Sequence, residues 1–191
     1  MKETLLLEII QEKVKTCEKC DLCITRKNAV PGKGNQNADV VFIGEAPGKN
    51  EDLRGEPFIG TAGKKLDEAL KNVGLTRNSV YITNIVKCRP PKNRIPNDLE
   101  KIMCSNYLEN ELAIINPKII CLLGSTAFYS ILGGKEISKN RGKFVFKDNR
   151  MYFVTFHPAA AIYNQKLGKV FKNDIKKLMK ELRKLKTEST D

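Results

Sequence analysis

Four short runs of β-branched and aromatic residues constrain the fold of this 191-residue chain more than any other feature. Each run is continuously apolar, as in strands that are buried on both faces of a sheet. The predicted strands are residues 40–43, 80–85, 119–123 and 152–156. Helical patterns lie between them, and this alternation predicts a mostly parallel sheet that helices cover on both faces.

The helical patterns are amphipathic, and in the last of them Lys and Arg fill the face opposite the apolar one. The predicted helices are residues 3–15, 62–73, 97–115, 125–132 and 170–185. The sequence therefore predicts an α/β fold with three layers, α/β/α, around a central, mostly parallel four-stranded sheet. In such sheets the ligand-binding cleft lies beyond the carboxyl ends of the strands.

Length and composition indicate a single domain that comprises residues 1–191. We interpret residues 1–37 as an N-terminal helix followed by a cysteine-containing segment, and residues 186–191 as a frayed tail. No apolar run approaches the length of a membrane span, and the first residues lack a signal-peptide pattern. We therefore expect a cytoplasmic protein with no membrane partner.

The charge of the chain favours a polyanionic partner. Lys and Arg number 34 against 22 Asp and Glu, which leaves a formal net charge of +12. The simplest such partner is nucleic acid. Lys- and Glu-rich surfaces also occur in heat-adapted proteins, but that enrichment alone would not leave so many uncompensated positive charges.

Six cysteines suggest a metal site, because clustered cysteines in a cytosolic protein more often bind metal or do redox work than form disulfides. Cys17 and Cys20 form a CxxC pair, and Cys88 and Cys104 lie on one predicted strand–helix unit. The four thiols could close one site. Alternatively, Cys88 and Cys104 are ordinary buried thiols, an interpretation that suits Cys121 inside its apolar strand.

Zinc and a 4Fe–4S cluster both accept four cysteines. Zinc ribbons usually have two close pairs, whereas Cys88 and Cys104 are far apart in sequence, which favours the cluster. Cys23 is ambiguous, because the run from Cys17 through Cys20 to Cys23 has a CxxCxxC spacing that also suits an iron–sulfur protein.

Several polar residues follow the predicted strands at the cleft edge. The segment Gly44-Glu-Ala-Pro-Gly48 follows the first strand, Asn84 ends the second, and His157, the only histidine, follows the fourth. An amide such as Asn84 could offer a donor and an acceptor to a base, or could instead satisfy loose backbone groups. A lone histidine is more often structural, but this one falls on the cleft side.

Two further features lie in the loop that follows the first strand. Phe58 is a loop aromatic that could stack on a base or close the edge of the core. Glu45 and Glu51 are carboxylates in the same region, and most such loop acids are simply solvated. These residues define a candidate site without deciding its chemistry.

Taken together, these stretches resemble the uracil-DNA glycosylase superfamily, and most closely its family-four members, the thermostable iron–sulfur enzymes. The resemblance extends over nearly the whole chain from Cys17, with six motifs in register. They are Cys17-x-x-Cys20, Val30-Pro-Gly-x-Gly34, Gly44-Glu-Ala-Pro-Gly48, Pro57-Phe-x-Gly-x-Ala-Gly63, Tyr81-Ile-Thr-Asn-Ile-Val-Lys-Cys-Arg-Pro-Pro91 and His157-Pro-Ala-Ala160.

The resemblance implies an enzyme that flips uracil out of single- or double-stranded DNA and hydrolyses its N-glycosidic bond. By this resemblance His157 donates a hydrogen bond to uracil O2, Asn84 pairs with the uracil edge, and Phe58 stacks on the base. The backbone of Glu45 and Ala46 also contacts uracil.

Other groups of the superfamily place an aspartate or asparagine at the position of Ala46 to hold the attacking water. Alanine cannot do this, so Glu45 and Glu51 are the candidates for that role. The resemblance also implies that Cys17, Cys20, Cys88 and Cys104 hold a structural 4Fe–4S cluster, which leaves Cys23 outside the ligand set.

The resemblance assigns DNA contacts as well. Ile162 is the expected minor-groove wedge and Tyr163 an aromatic replacement for a phosphate contact, while Gly124 and Ser125 suit a DNA phosphate. We expect a monomer, with a replication sliding clamp as a candidate partner. The alternatives are a non-catalytic nucleic-acid-binding protein stabilised by an iron–sulfur or zinc site, and a redox protein.

Overall fold

The computed structural model describes residues 2–188, with side chains from Leu5 onward, and its centre is a six-stranded sheet. The strands are β1 (Lys33–Gly34), β2 (Val40–Gly44), β3 (Tyr81–Asn84), β4 (Ile119–Leu123), β5 (Phe144–Lys147) and β6 (Arg150–Thr155). Their order across the sheet is β1-β3-β2-β4-β6-β5. The pairs β3–β2, β2–β4 and β4–β6 are parallel, whereas β1 and β5 pair antiparallel at the two edges.

The four parallel strands are the predicted ones, and the predicted α/β class is confirmed. The count of four strands was too low, because both edge strands lack the apolar pattern that marks a buried strand. β1 has only two residues, both exposed, and in β5 the side chain of Phe146 is 71% exposed. Every residue of β2, β3 and β4 is buried, which explains why their sequences are continuously apolar.

Nine α-helices occur in the described part of the chain. They are α1 (Lys2–Lys15), α2 (Leu22–Thr25), α3 (Lys49–Arg54), α4 (Thr61–Lys71), α5 (Asp98–Ile115), α6 (Ser125–Leu132), α7 (Ile137–Asn140), α8 (Ala160–Tyr163) and α9 (Gln165–Glu188), with short 3-10 turns at Arg77–Ser79 and Pro91–Asn93. The five predicted helices are α1, α4, α5, α6 and α9. The others have four to six residues, too few to show a helical repeat.

Local signals explain the start of α5 but not the end of α9. Asn97 caps α5 through a reciprocal capping box with Glu100. This capping agrees with the predicted start of the helix at residue 97. The tail predicted to begin at residue 186 is wrong for residues 186–188, which continue α9. Lys186 Nζ lies 2.6 Å from Asp39 Oδ2, so a tertiary ion pair stabilises this last turn. Residues 189–191 lie outside the described residues.

Helices cover both faces of the sheet, as the three-layer prediction requires. On one face, Val41, Ile43, Ile120 and Leu122 pack with apolar side chains of α1, α5 and α6. On the other face, the alternate residues of the same strands pack with α4 and α9. Those strand residues are Val40, Phe42, Ile119, Cys121 and Leu123. No helix within residues 2–188 is long and apolar enough to cross a membrane.

Candidate active site

The predicted site residues meet where β2 and β3 end side by side. Gly44 and Asn84 are parallel neighbours in register, and Asn84 is 1% exposed. Its Oδ1 is buried and has no hydrogen-bond partner among the described residues. A Cβ on Gly44 would lie 2.5 Å from this oxygen and would overlap the ring of Phe58. Glycine at position 44 therefore allows the ring of Phe58 and the unpaired acceptor of Asn84 to approach the same strand end.

Hydrogen bonds from Arg77 hold the loop around Phe58 in place. Phe58 has a left-handed backbone conformation, with φ of +54°, which is unusual for an aromatic residue. Arg77 Nη1 donates to the carbonyl of Pro57 at 3.0 Å, and Nη2 donates to the carbonyl of Phe58. Asp67 Oδ1 accepts from Arg77 Nε at 2.7 Å. A Cβ on Gly63 would overlap the Phe58 carbonyl, so α4 can approach the loop only with glycine there.

His157 lies beside Phe58, with 5.6 Å between the ring centroids and 32° between the ring planes. Burial lowers the pKa of His157 to about 4, and the nearby Glu51 carboxylate only partly opposes this shift. The imidazole is therefore neutral at pH 7. Because the amide of Ala159 donates to Nδ1 at 3.2 Å, the proton of the neutral ring is assigned to Nε2.

The two candidate carboxylates have different surroundings. Glu51, on α3, accepts from the amide of Gly60 at 2.7 Å through Oε1 and acts electrostatically on His157. Glu45 follows β2 directly, and its carboxylate accepts a hydrogen bond from the hydroxyl of Thr126 on α6. The structure thus brings Asn84, Phe58, His157 and Glu51 together and holds Glu45 at the start of α6.

Three of the four predicted DNA-contacting residues are exposed, whereas Gly124 is buried and its amide donates to the carbonyl of Thr155 at 2.9 Å. Gly124 precedes α6 with φ of +95°, and a Cβ there would lie 3.0 Å from Cβ of His157. Ser125 is exposed at the first turn of α6. Ile162 and Tyr163, at the end of α8, are 40% and 89% exposed. Two large apolar side chains therefore project into solvent a few residues after His157.

Five of the six cysteines line one pocket, which we call the cysteine pocket. It lies between residues 14–26, the segment that follows β3, and the first half of α5. The five cysteines are Cys17, Cys20, Cys23, Cys88 and Cys104. All are free thiols. Arg26 Nη1 donates to Cys88 Sγ at 3.0 Å, and the amide of Lys87 donates to Cys104 Sγ at 3.2 Å. Cys121 lies apart from this pocket, fully buried in β4.

Two cysteines of this pocket would ionise to thiolates only beside a positive charge such as a metal ion. Burial raises the pKa of Cys88 and raises that of Cys104 to about 12, so both are protonated thiols at pH 7 in the absence of a metal. A coordinating metal deprotonates a thiol outright. Within residues 2–188, no three His, Cys, Asp or Glu side chains are placed to hold one metal ion. The five thiols instead line the walls of one pocket.

Sequence reasoning missed Arg77 and Thr126, which hold Phe58 and Glu45. Arg77 donates to a residue 19 positions away, and Thr126 to one 81 positions away. Neither residue carries a local signal of that role. Gly63 does, since it closes the motif that begins at Pro57.

Comparison with known proteins decides the family. The model of the uracil DNA glycosylase superfamily matches residues 31–183, a span that includes Phe58, Asn84 and His157 as well as Cys88 and Cys104. The chain belongs to the uracil DNA glycosylase superfamily. The resemblance inferred from the six sequence motifs is thereby confirmed.

Curated superfamily members are similar over most of their length. The type-4 uracil-DNA glycosylase of Saccharolobus solfataricus is 46% identical over 92% of this chain and 86% of its own. The corresponding proteins of Sulfurisphaera tokodaii and Archaeoglobus fulgidus are 49% and 44% identical, each over 90% of this chain, and over 83% and 91% of their own lengths. The alignments therefore cover nearly the whole of this superfamily member.

Proposed function

We propose that this superfamily member is a type-4 uracil-DNA glycosylase, a DNA-repair enzyme that hydrolyses the N-glycosidic bond of uracil and leaves an abasic site. The observation that carries the proposal is the buried, unpaired Oδ1 of Asn84 between Phe58 and the end of β2. A buried acceptor without a partner is unfavourable unless a ligand supplies the donor. The N3–H group of a flipped uracil is such a donor.

The carboxamide of Asn84 explains selectivity for uracil. In this proposal Oδ1 accepts from N3–H of uracil and Nδ2 donates to O4. Cytosine offers an acceptor at N3 and a donor at N4, which is the reverse pattern. Binding cytosine would leave the buried amide unpaired, and a site built on such hydrogen bonds rejects the wrong partner strongly.

His157 supplies the electrostatic part of the mechanism. As the glycosidic bond breaks, negative charge develops on uracil O2 and positive charge on the sugar. The neutral ring can donate the Nε2 proton in a hydrogen bond to O2, and its burial strengthens that interaction. Phe58 stacks on the flipped base and so holds it in line with His157 and Asn84.

Glu51 is the stronger candidate to position the attacking water. Its Oε1 is held by the amide of Gly60, while the carboxylate acts electrostatically on His157, so it lies near the reacting groups. Glu45 is held by Thr126 and is the second candidate. We expect Glu51→Gln to reduce excision more than Glu45→Gln, and the reverse order would assign the water to Glu45.

The cysteine pocket supports a structural 4Fe–4S cluster held by Cys17, Cys20, Cys88 and Cys104. When bound, the cluster supplies the positive charge that keeps these thiols ionised and links the N-terminal segment to α5. The amide of Lys87 and the guanidinium of Arg26 already donate to two of the sulfurs, and such hydrogen bonds would orient the ligands and stabilise their negative charge. Cys88→Ser should abolish iron and sulfide binding, whereas Cys23→Ser and Cys121→Ser should retain both.

Surface residues on the same side support binding to DNA. In this proposal Ile162 enters the minor groove as a wedge, Tyr163 contacts the strand beside it, and the exposed Ser125 at the start of α6 binds a phosphate. The amide of Gly124 does not take part, because it donates to the carbonyl of Thr155 at 2.9 Å. The net charge of +12 matches a polyanionic substrate. The monomeric state and the sliding-clamp partner stay predictions.

Uracil excision is the decisive experiment. The purified protein is incubated in EDTA with a labelled oligonucleotide that carries one uracil, and alkali then cleaves any abasic site. Cleavage with uracil, but with neither thymine nor cytosine, is the expected result. A folded protein that binds DNA without cleaving it would instead favour a non-catalytic binding protein, the function that Ala46 would suit because alanine cannot hold a water.

A further inference from the structure

A fully buried ion pair joins the strand that carries Asn84 to α5. Lys87 Nζ lies 2.6 Å from Glu111 Oε2, and the two side chains are 2% and 0% exposed. The ammonium group also donates to the main-chain carbonyl of Asn84 at 3.1 Å and to the hydroxyl of Thr83. All three of its protons therefore have acceptors.

Glu111 completes the network from the other side. Its Oε2 accepts from Thr83 Oγ1 at 2.8 Å, and its Oε1 accepts from the amide of Gly32 at 3.0 Å and from the hydroxyl of Tyr81 at 3.3 Å. Burial and the Glu111 carboxylate raise the pKa of Tyr81, so its hydroxyl remains a donor. Each charged group is paired and fully hydrogen-bonded, as a buried pair requires.

The position of this pair matters more than its contribution to stability. Well-packed apolar side chains often replace a buried ion pair without loss of stability, so folding alone does not call for one. The pair lies at the end of β3, where the ammonium group of Lys87 donates to the carbonyl of the last strand residue, Asn84. The main chain of Lys87 also donates to Cys104 Sγ and accepts from the amide of Val30 at 2.7 Å. Lys87 thus contacts both Asn84 of the candidate active site and Cys104 of the cysteine pocket.

We propose that Lys87 and Glu111 are positioning residues that hold the carboxamide of Asn84 in the orientation that recognises uracil. The inference rests on the proposed function, because it gives a task to the amide that the proposed function uses. Recognition requires Oδ1 and Nδ2 at fixed positions, and a displacement of about 1 Å in a site of this kind can reduce the rate about 10²-fold. Neither Lys87 nor Glu111 contacts the base itself in this assignment.

The test replaces both charges by apolar side chains of similar length, in Lys87→Met/Glu111→Met. Single substitutions would leave one buried charge without its partner and would threaten folding. The matched control is Arg150→Met/Glu109→Met, which removes a more exposed ion pair of 2.7 Å between β6 and the same helix α5. The measurements are the thermal midpoint, kcat and KM for excision, binding to DNA without uracil, and inhibition of excision by free uracil.

We expect the double variant to fold and to bind DNA without uracil as the parent does. The inhibition constant of free uracil should rise, and kcat should fall, each by about 10²-fold. The control should match the parent in all four measurements. A folded double variant with the parent's uracil inhibition constant and kcat would overturn the inference and leave a purely structural pair. A parent that does not excise uracil would instead contradict the proposed function.

If the double variant does not fold, Thr83→Val tests the same inference. Thr83→Val removes the hydroxyl that accepts from Lys87 and donates to Glu111, yet it leaves the two charges paired. We expect a smaller rise in the uracil inhibition constant, of several-fold, with unchanged binding to DNA without uracil. An unchanged inhibition constant in folded Thr83→Val would overturn the inference.

Discussion

The amide nitrogen of Ala159 lies 3.2 Å from Nδ1 of His157 and donates a hydrogen bond to it. Two residues of the same motif thereby decide which nitrogen of the imidazole carries the proton. Together with burial, which lowers the pKa of His157 to about 4, this contact leaves a neutral ring with a donor at Nε2. The expected donor to uracil O2 is therefore present at every pH at which the enzyme would act.

Excision should consequently show no inflection near pH 6.5, the ordinary pKa of histidine. We expect single-turnover rates on a uracil-containing oligonucleotide to stay level from about pH 8 down to about pH 5, because the ring of His157 stays neutral over that range. A rate that titrates near pH 6.5 and loses this titration in His157→Gln would contradict the neutral assignment.

The same pKa shift predicts a pH-dependent stability. Between pH 6.5 and about 4 the unfolded chain binds a proton at His157 and the folded chain does not, so the free energy of unfolding falls as pH is lowered through this window. His157→Gln should lack this part of the dependence. Urea unfolding of both proteins at pH 7 and pH 4.5 checks it, and equal losses of stability would argue against a depressed pKa.

Asn84→Leu should separate stability from activity. The side chain keeps its approximate size, and a buried acceptor without a partner is removed, so the free energy of unfolding should stay the same or rise by up to about 1–3 kcal/mol. Excision should fall by about 10²–10³-fold, as when a preorganised hydrogen bond is lost. Asn28→Leu is the control, because the Asn28 amide donates to the carbonyl of Asp52 at 2.8 Å and its loss should destabilise the protein. Full excision by Asn84→Leu would refute the role of Asn84.

Arg77→Gln should make the loop of Phe58 more mobile without changing a residue that we expect to contact the base. The guanidinium donates to the carbonyls of Pro57 and Phe58, and glutamine cannot reproduce this fork. We expect KM for uracil-containing DNA to rise about tenfold, equivalent to about 1.4 kcal/mol of binding. Amide exchange in residues 57–60 should become faster. Arg54→Gln, an exposed arginine on α3, serves as the control, and a parental KM in Arg77→Gln would show that Phe58 needs no such anchor.

Helix α9 should contribute to the salt dependence of DNA binding. Five cations lie along one exposed stripe of this helix, and none has an ion-pair partner within residues 2–188: Lys166, Lys169, Lys176, Lys180 and Arg183. If they contact phosphates, Lys169→Gln/Lys176→Gln/Lys180→Gln should reduce the slope of log K against log salt by about 0.9 for each lost contact. Lys184→Gln, which removes a cation paired with Glu181, is the control on the same helix. An unchanged slope in the triple variant would exclude this stripe from the DNA interface.

The parts of the fold that sequence predicted well are those with a local physical cause. The apolar runs of β2 and β4 predict strands because both faces are buried, and Asn97 predicts the start of α5 because its side chain caps that helix. The edge strand β5 was missed because it is largely exposed, and α9 runs three residues past its predicted end, where Lys186 forms an ion pair with the distant Asp39.

In the candidate site, too, some features have a local cause in the sequence and others depend on tertiary packing. Local order in the chain was enough to predict the fold class, the family, and the motifs that contain Asn84, Phe58, His157 and three of the cysteines, since motifs and periodicities are properties of local sequence. Three properties of the site arise from packing alone: Asn84 Oδ1 has no partner among the described residues, His157 is neutral, and a buried Lys87–Glu111 pair links Asn84 to the cysteine pocket. Burial and long-range hydrogen bonds create these properties, and they exist only once residues far apart in the chain are packed together.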